Sequence, residues 1–460
     1  MNRVRYVCIP TMALRLRLNK WSALYGFGYV LVSSGLNGFY RKIEITGLEH
    51  VPLDKPILFA PNHQNAFIDG AIVGYAIGKP TYFLGRSDIF KKKLANSFLN
   101  ALNCLPIYRE RDGADYREKN LKAFDTFYNL LAKRNRINIF PEGGHFKEKR
   151  IRGPLKKGVF RIAVGAENKY DRSLDVHVVP VGIDYERHSK MGGSLLVNFG
   201  APYKMLDYIS DQDEEQEAIY DELVVDLEKR MHDLLIDIQN ESYYQLIRRM
   251  LIILDQEINE KENSAEQTLT DRFKAEKGFV RKADKLINED SSLMNELKLA
   301  EQNFSVYCKE NQVKPWLFRH GRKSPFFRLA IELALIPLVL PGIFTSFLPF
   351  MIPHWLMKAK VEDEHFHASI KILLGSLLFM VFWLAQMIVV AQFVSFEIWL
   401  LFSISLPFTA WFSSRWWRSF RKTLGIFRYR KLCRKNQSDF IEARENYATL
   451  LNGLSSIYQD

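Results

Sequence analysis

Two uncharged runs near the end of the chain limit its folds more than any other feature. Residues 372–396 carry no charged side chain, and neither do residues 398–414; Glu397 separates them. A soluble helix needs one apolar face, whereas roughly 20 consecutive apolar residues match the hydrocarbon thickness of a bilayer. An earlier apolar stretch runs from Leu329 to Met357, with Glu332 and His354 as its ionisable groups and Pro337, Pro341, Pro349 and Pro353 within it. Trp399, Trp411, Trp416 and Trp417 sit near run ends, where an indole is half wet. These features predict an integral membrane protein.

Charge sets the expected sidedness. The 460-residue chain has a net charge of +12, from 64 Lys and Arg against 52 Asp and Glu. Arg319, Arg322, Lys323 and Arg328 precede the first apolar stretch, and Arg415 to Lys435 is basic throughout, with no acid. Basic residues near span ends favour the cytoplasmic face, so an even number of crossings is expected. Lys358, Lys360 and Lys371 put loop 358–371 on that face too. Residues 329–357 are too few for two spans of about 20 residues each. They are expected to dip into the bilayer and return, with the prolines breaking the helix; residues 372–414 then cross twice and turn near Gln392–Glu397. A basic tail against apolar spans fits anionic membrane lipid, not nucleic acid.

The other segments differ in kind. Residues 1–42 read as an N-terminal interfacial segment, because 21–40 is apolar but Gly-rich, with aromatic and basic flanks. Residues 43–205 alternate between short β runs and helical stretches. The β runs are Lys42–Thr46, Pro56–Ala60, Pro80–Gly85, Cys104–Tyr108, Arg136–Phe140, Val176–Ile183 and Leu195–Phe199, and the helices are Phe67–Ile77, Ile89–Leu102, Ala114–Leu131 and Gly158–Glu167. This alternation predicts an α/β domain with a mostly parallel sheet flanked by helices. Residues 206–315 form an amphipathic helical region with Leu223, Val224, Leu227, Met231 and Leu234 at helical spacing. The C-terminal α-helical membrane region, 316–435, and a helical tail, 436–460, complete the chain. Its cysteines, Cys8, Cys104, Cys308 and Cys433, form no CxxC pair, which favours a reducing compartment. No secretory signal is evident.

Chemistry concentrates in Pro61-Asn62-His63-Gln64-Asn65-Ala66-Phe67-Ile68-Asp69, at the mouth of a strand–helix turn. A carboxylate can hold an imidazole in one tautomer, leaving the other nitrogen to take a proton from a hydroxyl. Ligands of α/β sheets bind beyond the carboxyl ends of the strands, where His63, Arg109 and Glu142 all fall. No G-x-S-x-G elbow and no H-E-x-x-H is present; Gly153 to Gly158 has P-loop spacing but lacks the Lys and Ser/Thr that follow. His365-Phe366-His367 reads as interfacial, and no metal ligands are assigned.

Four blocks in order resemble those of the glycerolipid acyltransferase family, the membrane enzymes that acylate glycerol phosphates. They are His63 to Asp69, Leu105-Pro106-Ile107-Tyr108-Arg109, Ile139-Phe140-Pro141-Glu142-Gly143-Gly144 and Val179-Pro180-Val181. The usual first block has four residues between His and Asp, whereas here there are five. That spacing, with Asn65 and the doubled Gly143-Gly144, is similar to the fungal-type glycerol-3-phosphate acyltransferase branch. The resemblance covers roughly residues 40–205 and implies acyl transfer from acyl-CoA or an acyl carrier protein thioester to glycerol-3-phosphate or 1-acylglycerol-3-phosphate.

The resemblance implies residue roles as well. His63 would be the base, and Asp69 would orient it and stabilise the imidazolium. The longer spacing predicts that losing the Asp69 carboxylate costs less than losing His63. Arg109, and second to it Arg111, would hold the acceptor phosphate, because a guanidinium fork matches phosphate. Glu142 would receive a glycerol hydroxyl, and Gly143 would let the backbone approach. Lys156 and Lys157 would bind CoA or carrier phosphates, or else form a solvated basic patch. Gln64 and Asn65 would offer oxyanion donors or cap the following helix. No cofactor beyond the thioester co-substrate is expected, and the catalytic domain would face the cytoplasm, where thioesters are. A non-catalytic lipid-binding or scaffold protein of the same fold is the alternative.

Overall fold

A computed structural model describes residues 22–108, 113, 115–261, 268–320, 324–435 and 437–459. The chain folds as two compact units: Met1–Asp237 with Leu356–Ser376, and Ile238–Trp355 with Leu377–Asp460.

The first unit is built on an eight-stranded sheet. Its elements are α1 (Ala23–Phe39), β1 (Lys42–Thr46), β2 (Ile57–Pro61), α2 (Ile68–Ile77), β3 (Tyr82–Arg86), α3 (Lys93–Ala101), β4 (Cys104–Ile107), α4 (Tyr116–Ala132), β5 (Arg136–Asn138), α5 (Gly158–Lys169), β6 (His177–Tyr185), β7 (Ser194–Phe199), β8 (Tyr203–Lys204) and α6 (Asp213–Leu234). The strand order is β1-β7-β6-β2-β5-β3-β4, with β8 paired to β6. All neighbours are parallel except β6 with β7 and β6 with β8. The mostly parallel α/β sheet expected from the alternation is what forms.

Strand β2 shows why its residues lie at the centre. All five are buried, as a strand covered by helices on both faces demands. Side chains alternate across a strand. Leu58 and Ala60 join the cluster that holds Ile137, Phe160, Val178 and, from α6, Leu223, Leu227 and Met231. Ile57 and Phe59 join the opposite cluster with Ile68, Ile72, Val179, Val181 and Leu36. Ala368 and Ile372 belong to that second cluster as well, so a piece of the apolar C-terminal region completes the core of the first unit. Gly35 of α1 lets this packing happen, since a Cβ there would meet Ile372 and Ser376.

The second unit is helical. It contains α7 (Tyr244–Lys261), α8 (Leu269–Glu289), α9 (Ser292–Glu310), α10 (Trp316–His320), α11 (Phe326–Ala334), most of α12 (Ile336–Lys360) and α13 (His367–Val390), α14 (Phe396–Lys435) and α15 (Ser438–Gln459). Among the described residues, three helices are long and apolar enough to cross a membrane: Ile336–Lys360, Glu364–Val390 and Phe396–Lys435. The expectation that prolines break 329–357 in its middle is corrected. Pro341, Pro349 and Pro353 lie inside continuous α12, and the break falls at Leu335 between α11 and α12. Neighbouring helices can satisfy the backbone groups that a proline frees. The turn near Gln392–Glu397 is present, between α13 and α14.

Candidate active site

The site forms where β2 ends. Asn62 is pinned to β6: its amide donates to the Ile183 carbonyl (3.1 Å), and its oxygen accepts from the Ile183 N–H (2.7 Å). That reciprocal pair fixes where the loop leaves the sheet. The next side chain, His63, stacks on Phe140 with ring centroids 3.9 Å apart. Its Nδ1 lies 2.9 Å from Asp69 Oδ2. An ionised carboxylate only accepts, so Nδ1 carries the proton and Nε2 is left as the basic atom. The His63 side chain keeps 16% of its exposure, whereas Asp69 is wholly buried.

Asp69 is the hub of the loop. Its Oδ2 also accepts from the backbone N–H groups of Gln64 and Asn65, both at 2.7 Å. Its Oδ1 accepts from the Tyr185 hydroxyl. The five intervening residues therefore do not separate His63 from Asp69; the chain wraps around the carboxylate. This uses the Gln64 and Asn65 N–H groups internally, and the Gln64 side chain donates to the Glu148 carbonyl (2.9 Å). The expectation that these backbone groups aim at an oxyanion is corrected accordingly.

Glu142 braces the same loop from the other side. Its Oε1 accepts from the His63 N–H (2.8 Å) and its Oε2 from the Arg152 N–H (3.4 Å). Burial raises its carboxyl from 4.5 to about 7, against the pull of these two backbone donors. Gly143 has a φ of +68°, a left-handed turn conformation, and a Cβ there would meet only ordinary contact with Lys156. That left-handed conformation by itself favours glycine here. The Lys156 N–H donates to the Pro141 carbonyl (2.7 Å), which places that residue beside the turn. Lys157 bonds Glu217 (3.2 Å) and Asp221 (2.8 Å) of α6. Arg109 and Arg111 lie outside the described residues. The strand before them is anchored by Asn120 of α4, which bonds both the N–H and the carbonyl of Tyr108.

Several site residues escaped the sequence reading. Tyr185 ends β6 on the face that carries Ile183, so strand alternation could have drawn attention to it. Burial and the neighbouring Asp69 charge push its phenol well above 10, which keeps it a hydrogen-bond donor. His188 Nε2 and His365 Nδ1 both bond the Gln64 carbonyl, at 2.6 and 3.1 Å. The His365 carbonyl accepts from the Ala66 N–H (3.2 Å), and the Ser369 hydroxyl from the Ile68 N–H (3.3 Å). His145 packs edge-on against His63 (5.6 Å) and His365 (4.4 Å). Burial lowers the His145 imidazole below its ordinary value, with His365 and His63 adding to the effect. Nothing local in the sequence signals this convergence, because residues 145, 188 and 365 come from three distant loops.

An α/β unit that holds a His–Asp pair at the carboxyl edge of a parallel sheet defines a site suited to removing a proton from a hydroxyl. Residues 42–184, which span β1 to β6, match the family model described as Acyltransferase. Among solved structures, the chain is similar to the 1-acyl-sn-glycerophosphate acyltransferase from Thermotoga maritima. Identity is 18% over 46% of this chain and 78% of that one, with a TM-score of 0.33. No curated protein matches the chain.

Proposed function

We propose that the protein is a membrane-bound O-acyltransferase that moves a fatty acyl group from a thioester, acyl-CoA or acyl carrier protein, to the hydroxyl of a glycerol phosphate. The observation that carries this reading is the 2.9 Å pairing of His63 Nδ1 with buried Asp69, which leaves Nε2 basic. Nε2 takes the hydroxyl proton as the oxygen attacks the thioester carbonyl, and Asp69 stabilises the imidazolium that forms. Collapse of the tetrahedral intermediate breaks the C–S bond, and the proton goes to the departing thiolate. The thioester is already activated, so no acyl-enzyme is required. Arg109, with Arg111 behind it, is assigned to the acceptor phosphate, and Lys156 to the phosphates of the donor. Glu142 is assigned to a glycerol hydroxyl of the acceptor, and Gly143 to a close approach of the backbone. The His-to-Asp spacing and Gly143-Gly144 resemble the fungal-type branch, which favours glycerol-3-phosphate over 1-acylglycerol-3-phosphate as acceptor. The basic stretch Arg415 to Lys435 suits anionic lipid headgroups.

The test offers the purified protein labelled acyl-CoA and, in a parallel reaction, labelled acyl carrier protein thioester, with each acceptor separately. Labelled 1-acylglycerol-3-phosphate from glycerol-3-phosphate is the expected product. Transfer to 1-acylglycerol-3-phosphate alone reverses the acceptor assignment, and transfer to neither overturns the reading.

A further inference from the structure

We propose that His145, Asp363 and His365 form a binding site for a divalent transition-metal cation of the zinc class, beside His63. The three residues offer one ligand atom each, and these atoms all lie within 4.8 Å of one another. Metal–ligand distances of ~2.0–2.2 Å put two ligands of one tetrahedral zinc about 3.4 Å apart. His145 Nε2 and Asp363 Oδ2 already stand 3.5 Å apart. The widest separation needs to close by about an ångström to reach such geometry, and Asp363 is the exposed member of the three.

The surroundings are those of a ligand set. A metal-bound imidazole commonly donates its second ring N–H to a carbonyl or carboxylate, which fixes the tautomer. His365 Nδ1 does so to the Gln64 carbonyl at 3.1 Å, leaving its Nε2 lone pair for an ion. The Asp363 carboxylate is oriented likewise: Oδ1 accepts from the His365 N–H (3.0 Å), so Oδ2 is the oxygen turned to His145. Lys147, two residues along the same loop, is held by Glu364 (2.7 Å), which keeps its ammonium from competing. Two imidazoles and one carboxylate suit zinc-class ions and not magnesium or calcium, which prefer all-oxygen cages. Three protein ligands leave a fourth position for water.

Such an ion would tie the loop after Glu142 to the segment that bonds the Gln64 carbonyl and the Ala66 N–H. The site stands on its own geometry and does not depend on acyl transfer at His63. The test uses full-length protein in detergent, stripped with a chelator and titrated with Co2+ while its visible absorption is recorded. One saturable equivalent, displaced by Zn2+, is expected. Asp363→Asn and His365→Gln should each weaken binding by at least ~10-fold, the lower end of the loss seen for outer-shell partners alone. Thermal melting of the metal-free variants reports separately that they fold, and exposed Asp363 gives the variant that leaves the core untouched. No saturable binding by the unaltered chain, or unchanged binding in either folded variant, overturns the proposal.

Discussion

His63 and Asp69 are a pair whose members have unequal structural duties. His63→Ala removes the base and should lower kcat/KM by at least ~100-fold, the usual scale of general-base catalysis, in a protein that still folds. The sequence spacing argued for a milder effect of Asp69→Asn, but the structure removes the reason for that ordering. Four donors converge on this carboxylate: the His63 ring, two backbone N–H groups and the Tyr185 hydroxyl. An amide would turn its own N–H groups toward some of them. Asp69→Asn should therefore match His63→Ala in lost turnover and also lower the melting temperature; a variant with near-normal turnover would refute this account. Glu142 gives a pH signature. Its carboxyl titrates near 7 when folded and at the ordinary 4.5 when unfolded, so between those values the folded chain binds more protons. Stability must then fall as pH rises from about 4.5 to about 7, by on the order of 3 kcal/mol when complete. Glu142→Gln should flatten that slope in melting experiments between pH 5 and 8, and an unchanged slope would assign it to other groups.

The elements were legible where one periodicity dominated. Five buried residues in β2 follow from Pro56–Ala60 as a short apolar run, and the strand lies within one residue of its expected bounds. The antiparallel pairing of β6 with β7 was not legible, because alternation between strand and helix stops at Ile183 and leaves direction to the turn. Nor was the target of α6, whose Leu223, Leu227 and Met231 announce a helix face but not the sheet it covers. In the site, His63, Asp69 and Glu142 were visible as motif residues, while Tyr185, His145, His188 and His365 were not, since they meet only in three dimensions. Prolines misled, because a proline is a breaker only where nothing else satisfies the freed carbonyl. In the helical unit, Gly342 of α12 is a contact point: a Cβ there would come within 2.2 Å of both the Ser413 Oγ and the Thr409 carbonyl of α14. Small residues let membrane helices approach closely. Gly342→Leu should destabilise the unit by ~1–3 kcal/mol through overpacking, read as a lower melting temperature in detergent. No change would mean that the two helices separate freely.

At the scale of the whole chain, connectivity constrains topology. Residues Leu356–Ser376 group with the compact unit that holds His63, so the loop between α12 and α13 is expected on the same side of the bilayer as His63. Among the described residues between 238 and 335, no helix is long and apolar enough to cross. A complete crossing by α12 would then strand residues 238–335 on the wrong face. We expect α11 and α12 to enter and leave on one side, and α13 with α14 to form the crossing pair. Single cysteines at Ser324, Glu362 and Glu222, in a chain without its native ones, should react with an impermeant thiol reagent from one face, and one at Phe393 from the other. Labelling of 324 and 362 from opposite faces would make α12 a full span.

The contribution of Leu356–Ser376 to the catalytic unit also sets an order of events during synthesis. The loop that carries His63 leaves the ribosome 301 residues before the segment that supplies Ser369 to the Ile68 N–H and His365 to the Gln64 carbonyl. By then, α12 has already been made. Until Ala368 and Ile372 have been made, their part of the unit's core stays uncovered. A chain cut short before Leu356 would thus lack a piece of the compact unit that holds His63.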